Sequence, residues 1–217
     1  MISFKNISKR FPDGFVALNN IDLTIETGEM VFITGHSGAG KSTLLKLIAA
    51  IERPTSGSIT ISGQNIAQLK YSAIPFLRRK IGFIFQDHKL LFDRNVFDNV
   101  LLPLQIGSFD NNMVTSRVRA ALDKVGLLRK ERAMPVTLSG GERQRLCIAR
   151  AVVHRPIILI ADEPTGNLDI EYARDIMEMF KSFHQVGVTV LIATHDASLL
   201  ENTQHRILSL KQGKLAA

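Results

Sequence analysis

Eight consecutive residues from Gly35 to Ser42 match the phosphate-binding pattern G-x-x-x-x-G-K-[ST]. They follow an apolar run, Met30–Thr34, that predicts a buried strand, and they precede a helix predicted from Lys41 to about Ile51. In that setting the main-chain N–H groups converge on phosphate oxygens, Lys41 reaches the β- and γ-phosphates, and the Ser42 hydroxyl ligates Mg²⁺. The alternative is a glycine-rich turn with an incidental lysine, which the flanking strand and helix disfavour. The residues predicted to bind the nucleotide here are Gly35, His36, Ser37, Gly38, Ala39, Gly40, Lys41, Ser42 and Thr43.

Two carboxylates, Asp162 and Glu163, end a second apolar run, Ile157–Ala161. Ligands of parallel α/β sheets bind at the carboxyl ends of the strands, which is where these side chains fall. Asp162 would hold Mg²⁺ directly or through water, and Glu163 would polarise a water in line with the γ-phosphate. On its own such a pair could be a helix cap. With the phosphate-binding loop it favours nucleotide hydrolysis.

A second anion site is predicted where a helix from Gly141 to about His154 begins. Ser139 is a favourable N-cap, and the glycines after it leave main-chain N–H groups exposed at the helix N-terminus. Such a segment alone is a common turn. A chain with one nucleotide has little use for two phosphate-binding segments, so the simplest interpretation is that this one contacts a nucleotide held by a second subunit. Its residues are Ser139, Gly140, Gly141 and Glu142.

Apolar strands that alternate with helices predict an α/β domain with a largely parallel core sheet. The alternating N-terminal segments before residue 34 predict an antiparallel β layer beside it. The pattern of residues 87–137 predicts a mainly helical block with breaks at Pro103 and at residues 107–112. We therefore expect one domain, with residues 1–86 and 138–217 as the catalytic core and 87–137 as a helical subdomain whose last segment continues to about residue 154.

The 217 residues include a single Cys, so a disulfide scaffold is excluded and a reducing compartment is favoured. Apolar runs reach only about five residues where a membrane span needs roughly 20, and the N-terminus lacks the apolar segment of a signal peptide. These features predict a cytosolic protein or one on the cytosolic face of a membrane. The net charge of +7 leaves nucleic acid and anionic lipid open as partners. Residues 64–86 carry Lys70, Arg78, Arg79 and Lys80 without an acid, and the basic segment 70–80 is the candidate lipid contact, with a solvated surface as the alternative.

The motifs and their order resemble the ATP-binding-cassette (ABC) ATPases over essentially the whole chain. The resemblance implies a P-loop NTPase fold of the ABC type, ATP and Mg²⁺ as ligands, and a homodimer that sandwiches two ATP molecules. It also implies roles for residues that spacing alone does not mark. Gln86 would touch Mg²⁺ and the attacking water, His195 would contact the γ-phosphate, and Phe11 would stack on adenine, although most family members have Tyr there. The loop that would cross the dimer interface consists of Asn167, Leu168 and Asp169.

Several stretches resemble the FtsE subfamily, the cell-division ATP-binding proteins of bacteria. They include the histidine in the phosphate-binding loop and the run Gln86-Asp87-His88. This resemblance implies an integral membrane partner of the FtsX type, a peripheral place on the inner membrane at the division site, and ATP-driven activation of septal cell-wall hydrolases. The partner's cytosolic helix would dock between the core and the 87–137 block. Candidate contacts are Leu90, Leu91, Phe92, Val96, Leu101 and Leu102.

Three other functions remain open from the sequence. An ATPase subunit of a lipoprotein-releasing or macrolide-type exporter has several of the same motifs. A nucleic-acid-associated cassette would fit the positive charge but lacks the long coiled-coil insert or tandem cassette of such proteins, so no nucleic-acid partner is expected. An adaptor that only binds ATP would not need Glu163, Gln86 and His195 together.

Overall fold

The computed structural model describes residues 1–107, 109, 111–166, 168–196, 199–201 and 203–216. The strands are β1 (Ile2–Arg10), β2 (Val16–Ile25), β3 (Met30–Thr34), β4 (Ser56–Ile61), β5 (Gln64–Asn65), β6 (Ile81–Ile84), β7 (Ile158–Asp162), β8 (Thr189–Ala193), β9 (Arg206–Lys211) and β10 (Lys214–Leu215). The α-helices are α1 (Lys41–Ile48), α2 (Ile74–Arg78), α3 (Val96–Gly107), α4 (Asn111–Lys124), α5 (Gly140–Val152) and α6 (Ile170–Gln185). Short 3₁₀ turns precede α2 and α5.

Two sheets form the framework. The first has the antiparallel order β2-β1-β4-β5, and the second has the order β10-β9-β3-β8-β7-β6, parallel from β9 to β6. The predicted α/β architecture with an N-terminal antiparallel layer is therefore confirmed. No helix among the described residues is both long and apolar enough to span a bilayer.

Strand β3 contributes side chains to two hydrophobic cores, one on each face of the parallel sheet. Val31 and Ile33 pack with the antiparallel layer and α1, whereas Met30 and Phe32 pack on the opposite face with the helices after β6. All four side chains are buried because both faces of a parallel sheet are covered. The carboxyl end of β3 is thereby fixed between β9 and β8.

The predicted break at Pro103 is wrong, because α3 runs through it to Gly107. Proline removes one main-chain hydrogen bond from a helix, a loss that tertiary packing can offset. Here Val100 and Leu104, on either side of Pro103, are buried in the core shared with α4 and α5. The predicted interruption between residues 107 and 112 does separate α3 from α4.

Two arginines of the basic segment make hydrogen bonds within the chain. Arg78 donates to the carbonyls of Ala49 and Ala50 just after α1, and Arg79 donates to the carbonyl of Ile106 at the end of α3. Cations near the C-terminus of a helix also interact favourably with its dipole. These contacts give the arginines a structural role, and none of them supports the predicted contact with anionic lipid.

The loop before α3 is held by Asn99, whose side chain is completely buried. Its amide nitrogen donates to the carbonyls of Leu91, Arg94 and Asn95, and its oxygen accepts from the Leu91 N–H. A buried amide whose nitrogen and oxygen are both hydrogen-bonded to the main chain fixes the path of that main chain. Asn99 therefore sets the geometry of the segment that joins β6 to α3.

We expect Asn99→Ala to lower the free energy of unfolding by about 3 kcal/mol, since it removes every hydrogen bond of a buried amide and leaves the Leu91 N–H and the Arg94 carbonyl without their side-chain partner. Urea denaturation of the purified protein measures this. Asn19→Ala is the matched control, because Asn19 is exposed, and it should change stability by less than about 0.5 kcal/mol. Equal effects of the two substitutions would contradict the structural role of Asn99.

Candidate active site

Four neighbouring strands end at one cavity of about 440 Å³. The phosphate-binding loop follows β3, His195 follows β8, Glu163 follows β7, and Gln86 follows β6. Because β3, β8, β7 and β6 are adjacent and parallel, their carboxyl ends share an edge, and ligands bind there in α/β folds. The cavity is lined by Phe15, Ala17, His36, Ser37, Gly38, Ala39, Gly40, Lys41, Ser42, Thr43, Gln86, Glu163 and His195.

The phosphate-binding loop takes a conformation that requires glycine at two positions. Gly40, with φ of 109°, immediately precedes α1, and a Cβ there would lie 2.5 Å from the carbonyl oxygen of Ala17. Gly35, with φ of 145°, would place a Cβ 2.3 Å from the carbonyl oxygen of Leu210. Both contacts are far below van der Waals distance and the backbone is left-handed, so any side chain would distort the loop.

Lys41 reaches back over this loop from the first turn of α1. Its Nζ donates to the carbonyl of Gly35 at 2.7 Å and to that of His36 at 3.4 Å. The same ammonium lies 3.3 Å from Oε1 of Glu163, and only 8% of the lysine side chain is exposed. The charge is thus held at the centre of the cavity.

Glu163 has the most constrained position in the cavity. Its φ is 51°, a left-handed value that is uncommon outside glycine, and its N–H donates to the carbonyl of Ala193. Oε2 lies 2.8 Å from Nδ1 of His195 and accepts the His195 main-chain N–H at 3.3 Å. Backbone strain of this kind clusters at functional sites and persists where neighbours fix it. The carboxylate is therefore held between Lys41 and His195 from three separate strand ends.

Asp162 lies on the deeper side of the same strand end and is buried. Its Oδ1 accepts a hydrogen bond of 3.0 Å from the Ser42 hydroxyl. Burial raises the pKa of the Asp162 carboxyl, and the hydrogen bond from Ser42 offsets part of this effect.

The donor set suits Mg²⁺. This ion prefers oxygen ligands and is usually held by one or two protein groups plus water and substrate phosphates. Asp162 and Ser42 bring a carboxylate and a hydroxyl within hydrogen-bond distance of each other. Ser42 and Gln86 line the cavity, and Asp162 lies behind Ser42, outside the cavity lining. A buried carboxylate with a raised pKa also gains from a nearby cation, because the cation lowers the energy of the charged form.

We expect Asp162→Asn to raise the thermal midpoint of unfolding at pH 7 in the absence of nucleotide and metal. Because the folded pKa lies above the unfolded value, the unfolded state binds fewer protons in that interval, and stability falls as pH rises through it. The asparagine removes this penalty and keeps an acceptor for Ser42. The advantage should disappear below about pH 4, where Asp162 is protonated in both states.

Scanning calorimetry between pH 3 and pH 8 measures this effect, with exposed Asp175→Asn as the control that should show no such trend. Addition of Mg²⁺ with ATP should then raise the midpoint of the wild type more than that of Asp162→Asn. An equal response of the two proteins would contradict the assignment of Asp162 as a metal ligand.

The aromatic side chain that lines the cavity is Phe15, which the sequence analysis missed. Phe11, the residue predicted to stack on adenine, lies one ring further out, with ring centroids 6.4 Å apart and an interplanar angle of 16°. A turn with a hydrogen bond from Phe11 N–H to the Phe15 carbonyl produces this stack, and 52% of Phe15 is exposed. A large aromatic residue directly after Asp13-Gly14 was the available signal. Adenine stacking by Phe11 stays a prediction.

The segment from Ser139 to Glu142 is not among the residues that line this cavity. It starts α5 with a capping box, in which the Ser139 hydroxyl accepts the Glu142 N–H and the Glu142 carboxylate accepts the Ser139 N–H. Lys130 lies 2.5 Å from the Glu142 carboxylate, and this contact lowers the pKa of Glu142 most, with the Ser139 N–H next. The helix N-terminus is thus capped by side chains of its own first turn, and Gly141 in that turn is buried.

The predicted dimer loop is described in part. Leu168 packs against the core that contains Met30 and Phe32. Asp169 is the N-cap of α6, where its side chain accepts the Tyr172 N–H. Asn167 lies outside the described residues. Tyr172 also lies against the predicted second anion site, because a Cβ at Gly141 would lie 3.0 Å from its ring. The loop and the start of α5 are therefore adjacent within one chain.

A family model described as ABC transporter matches residues 18–166, which is more than half of the chain. The chain belongs to the ABC transporter ATPase family. The cell division ATP-binding protein FtsE of Escherichia coli (strain K12) is 54% identical over 215 residues, covering 99% of this chain and 97% of that protein. The protein of the same name from Bacillus subtilis (strain 168) is 43% identical over 213 residues, with coverage of 98% and 93%.

Solved structures agree with this family. The ATP-binding cassette MJ0796, in a dimeric post-hydrolysis state bound to ADP and Pi, superposes with a TM-score of 0.92 at 35% identity, covering 100% of this chain and 97% of that one. A second dimeric structure of the same cassette gives 0.92 at 36% identity with the same coverage. This ABC ATPase therefore binds ATP and hydrolyses it to ADP and phosphate.

Proposed function

We propose that this ABC ATPase is the nucleotide-hydrolysing subunit of an FtsEX-like membrane complex in bacterial cell division. In this complex, ATP-driven closure of two copies activates septal cell-wall hydrolases through an FtsX-like integral membrane partner. The observation that carries the proposal is the near full-length identity to FtsE of Escherichia coli, 54% over 99% of the chain. The chain would then lie on the cytoplasmic face of the inner membrane, held there by its partner.

The phosphate-binding loop and Lys41 bind and orient the triphosphate. Main-chain N–H groups at the N-terminus of α1 supply dipoles, and Lys41 supplies a buried positive charge. Lys41 now contacts the Glu163 carboxylate at 3.3 Å, and a γ-phosphate is a stronger acceptor for the same ammonium. Mg²⁺, held by Ser42, Asp162 and Gln86, would neutralise charge that develops on the phosphates.

Glu163 is the group that accepts a proton from the attacking water. His195 keeps Oε2 fixed, and Oε1, which now contacts Lys41, would take the proton once Lys41 binds the γ-phosphate. Such positioned general bases contribute about 10²–10⁴-fold to rate. His195, whose side chain is 65% exposed, is placed to orient Glu163 on one side and contact the γ-phosphate on the other.

The second anion site completes the catalytic site from the other subunit. Ser139 and the glycine N–H groups of one copy face the γ-phosphate held by its partner, because these groups lie outside their own cavity. The Leu168–Asp169 segment lies beside them and would cross the dimer interface with Asn167. Hydrolysis removes the phosphate that joins the two surfaces, and the dimer reopens.

A groove of about 460 Å³ between the core and α3 is the place where the partner's cytosolic helix would dock. Its apolar lining includes Phe83, Phe85, Leu102 and Ile106. Of the sequence candidates, only Leu102 lines this groove. Leu90 and Val96 belong to the buried core, and Leu101 packs against it. The groove ends near Gln86, so a docked helix can influence the active site over a short distance.

An ATPase subunit of a lipoprotein-releasing or macrolide-type exporter is the second candidate, since the groove and the active site would serve such a system equally. The test is a pull-down of tagged Glu163→Gln protein with ATP from detergent-solubilised membranes, followed by mass spectrometry. Recovery of an FtsX-like protein with division-site proteins would support the proposal. Recovery of exporter subunits alone, or of nucleic acid without a membrane protein, would overturn it.

A further inference from the structure

The groove beside α3 is basic as well as apolar. Arg78, Arg79, Arg150 and His154 line it, and none of its described lining residues is acidic. Buried charges in proteins are ordinarily paired, because transfer of an unpaired ion out of water costs several kcal/mol. The contacts of these side chains therefore indicate what a partner must supply.

Arg150 is a half-buried guanidinium without a carboxylate partner among the described residues. Its two terminal nitrogens donate to the carbonyls of His88 and Lys89, and no ion pair within 4 Å involves it in the part of the chain that the structure describes. Burial lowers the pKa of Arg150 as a consequence. Five N–H donors are available on a guanidinium, so several remain free for an acceptor in the groove.

Arg79 is the second such group. One of its terminal nitrogens donates to the Ile106 carbonyl at 3.2 Å, while its Nε is shielded from solvent and makes no hydrogen bond. The guanidinium also lies 5.0 Å from the ring centroid of Phe76. The Nε–H is thus a buried donor without an acceptor, and such a donor costs free energy until an acceptor reaches the guanidinium.

His154 adds a third unused polar group to the same wall. Both ring nitrogens are shielded from solvent without a hydrogen bond of good geometry. Burial lowers the pKa of His154, and the main chain of Ile81 offsets only part of that effect. Arg79, Arg150 and His154 thus line one largely apolar groove in which no described side chain is a carboxylate.

We propose that the helix docking in this groove is amphipathic and carries at least one carboxylate that Arg79 and Arg150 bind. The inference rests on the proposed function, since it describes the partner of the same complex. Apolar side chains of that helix, three or four residues apart, would pack on Phe83, Leu102 and Ile106. Guanidinium groups bind carboxylates in a bidentate geometry, so the ion pair fixes the register and direction of the docked helix.

The ion pair would also affect the active site, through the main chain that follows Gln86. Arg150 holds the carbonyls of His88 and Lys89, which come two and three residues after Gln86. Both have positive φ values, 61° and 48°, so this stretch of backbone is strained and depends on its hydrogen bonds. A carboxylate that binds the remaining donors of Arg150 draws the guanidinium toward the groove, and the path of the main chain after Gln86 then responds to docking.

The test uses the full chain co-expressed with the FtsX-like membrane protein of the same organism and recovered with it in detergent. Arg79→Glu should reduce co-purification by about ten-fold or more, because it places like charges face to face, whereas Arg79→Lys should retain most of it. An acid-to-Lys change in the partner's cytosolic helix should restore binding to Arg79→Glu. Lys5→Glu, an exposed change on β1, is the matched control and should bind normally.

A second variant separates the two proposals. Ile106→Asp places a charge in the apolar part of the groove and should abolish co-purification whatever the chemistry of the helix. Loss with Ile106→Asp but normal binding by Arg79→Glu would overturn the carboxylate inference and leave the proposed function in place. Failure of the wild-type chain to co-purify would overturn the proposed function itself. Thermal midpoints of all variants close to that of the wild type exclude misfolding as the cause.

Discussion

Glu163→Gln should lower the rate of ATP hydrolysis by at least about 100-fold while ATP still binds. The glutamine has nearly the same size, and it can keep the contact with His195, but it cannot accept a proton from water. It also removes the charge that pairs with Lys41 at 3.3 Å, so the ammonium becomes fully available to the γ-phosphate. Affinity for ATP should therefore stay equal or rise.

Phosphate release under ATP saturation measures the rate, and size-exclusion chromatography with ATP measures the closed dimer, which should accumulate because the phosphate that joins the two copies is not removed. Glu171→Gln is the matched control, since Glu171 is an exposed acid in the first turn of α6. The control should hydrolyse ATP at the wild-type rate. Undiminished turnover by Glu163→Gln would contradict its role as general base.

Elements defined by local chemistry could be predicted closely from the sequence. The bounds of β3 were predicted correctly at Met30–Thr34, because an apolar run lies between Gly28 and Gly35 and both glycines take positive φ. Ser139 was predicted as an N-cap, and the capping box confirms it. Caps, turns and buried runs depend on neighbouring residues, so a sequence carries their signals directly.

The predicted end of α1 at about Ile51 lies three residues beyond the observed end, because of a local backbone conformation that the residue types do not indicate. The helix stops at Ile48, and Ala50 takes a φ of 48° where glycine is usual. The Ile51 N–H bonds the Lys46 carbonyl and the Ala50 N–H bonds the Leu47 carbonyl, the pattern of a Schellman motif. Alanine is the best helix former, so its propensity predicts that the helix continues through Ala50, where the structure shows that it has already ended.

Part of the active site could be predicted only through family resemblance, namely Gln86 and His195, whereas the phosphate-binding loop, Asp162 and Glu163 carry motif signals of their own. Lys41, Glu163 and His195 are far apart in sequence, and they meet because β8 lies between β3 and β7. Periodicity gives each strand but not their order in the sheet. Phe15 shows the same limit, since its ring reaches the cavity through a turn whose direction depends on the packing of β2.

The second large effect concerns the division of one catalytic site between two copies. Lys41→Ala should bind ATP at least about 100-fold more weakly, because it removes a buried ammonium with charge-assisted hydrogen bonds to phosphate. Ser139→Arg should place a bulky cation at the start of α5 and prevent the dimer from closing on ATP. Each variant alone should have almost no ATPase activity.

A mixture of the two inactive variants should regain activity. In a mixed dimer, one site combines the altered loop with the altered α5 start, while the other combines two intact surfaces. Random pairing makes half of the dimers mixed, and each has one working site of two, so about a quarter of the wild-type rate is expected if sites act independently. The measurement is phosphate release as a function of mixing ratio, with a maximum at equal amounts.

The control is a double variant that carries Lys41→Ala and Ser139→Arg in the same chain. Mixed with wild type, it forms dimers in which both sites have one altered surface, so it should inhibit rather than restore activity. A site contained within one copy predicts the opposite, since neither variant could then complement the other at any ratio. Because Ser139–Glu142 does not line the cavity of its own chain, we expect these residues to contact nucleotide only in a shared site.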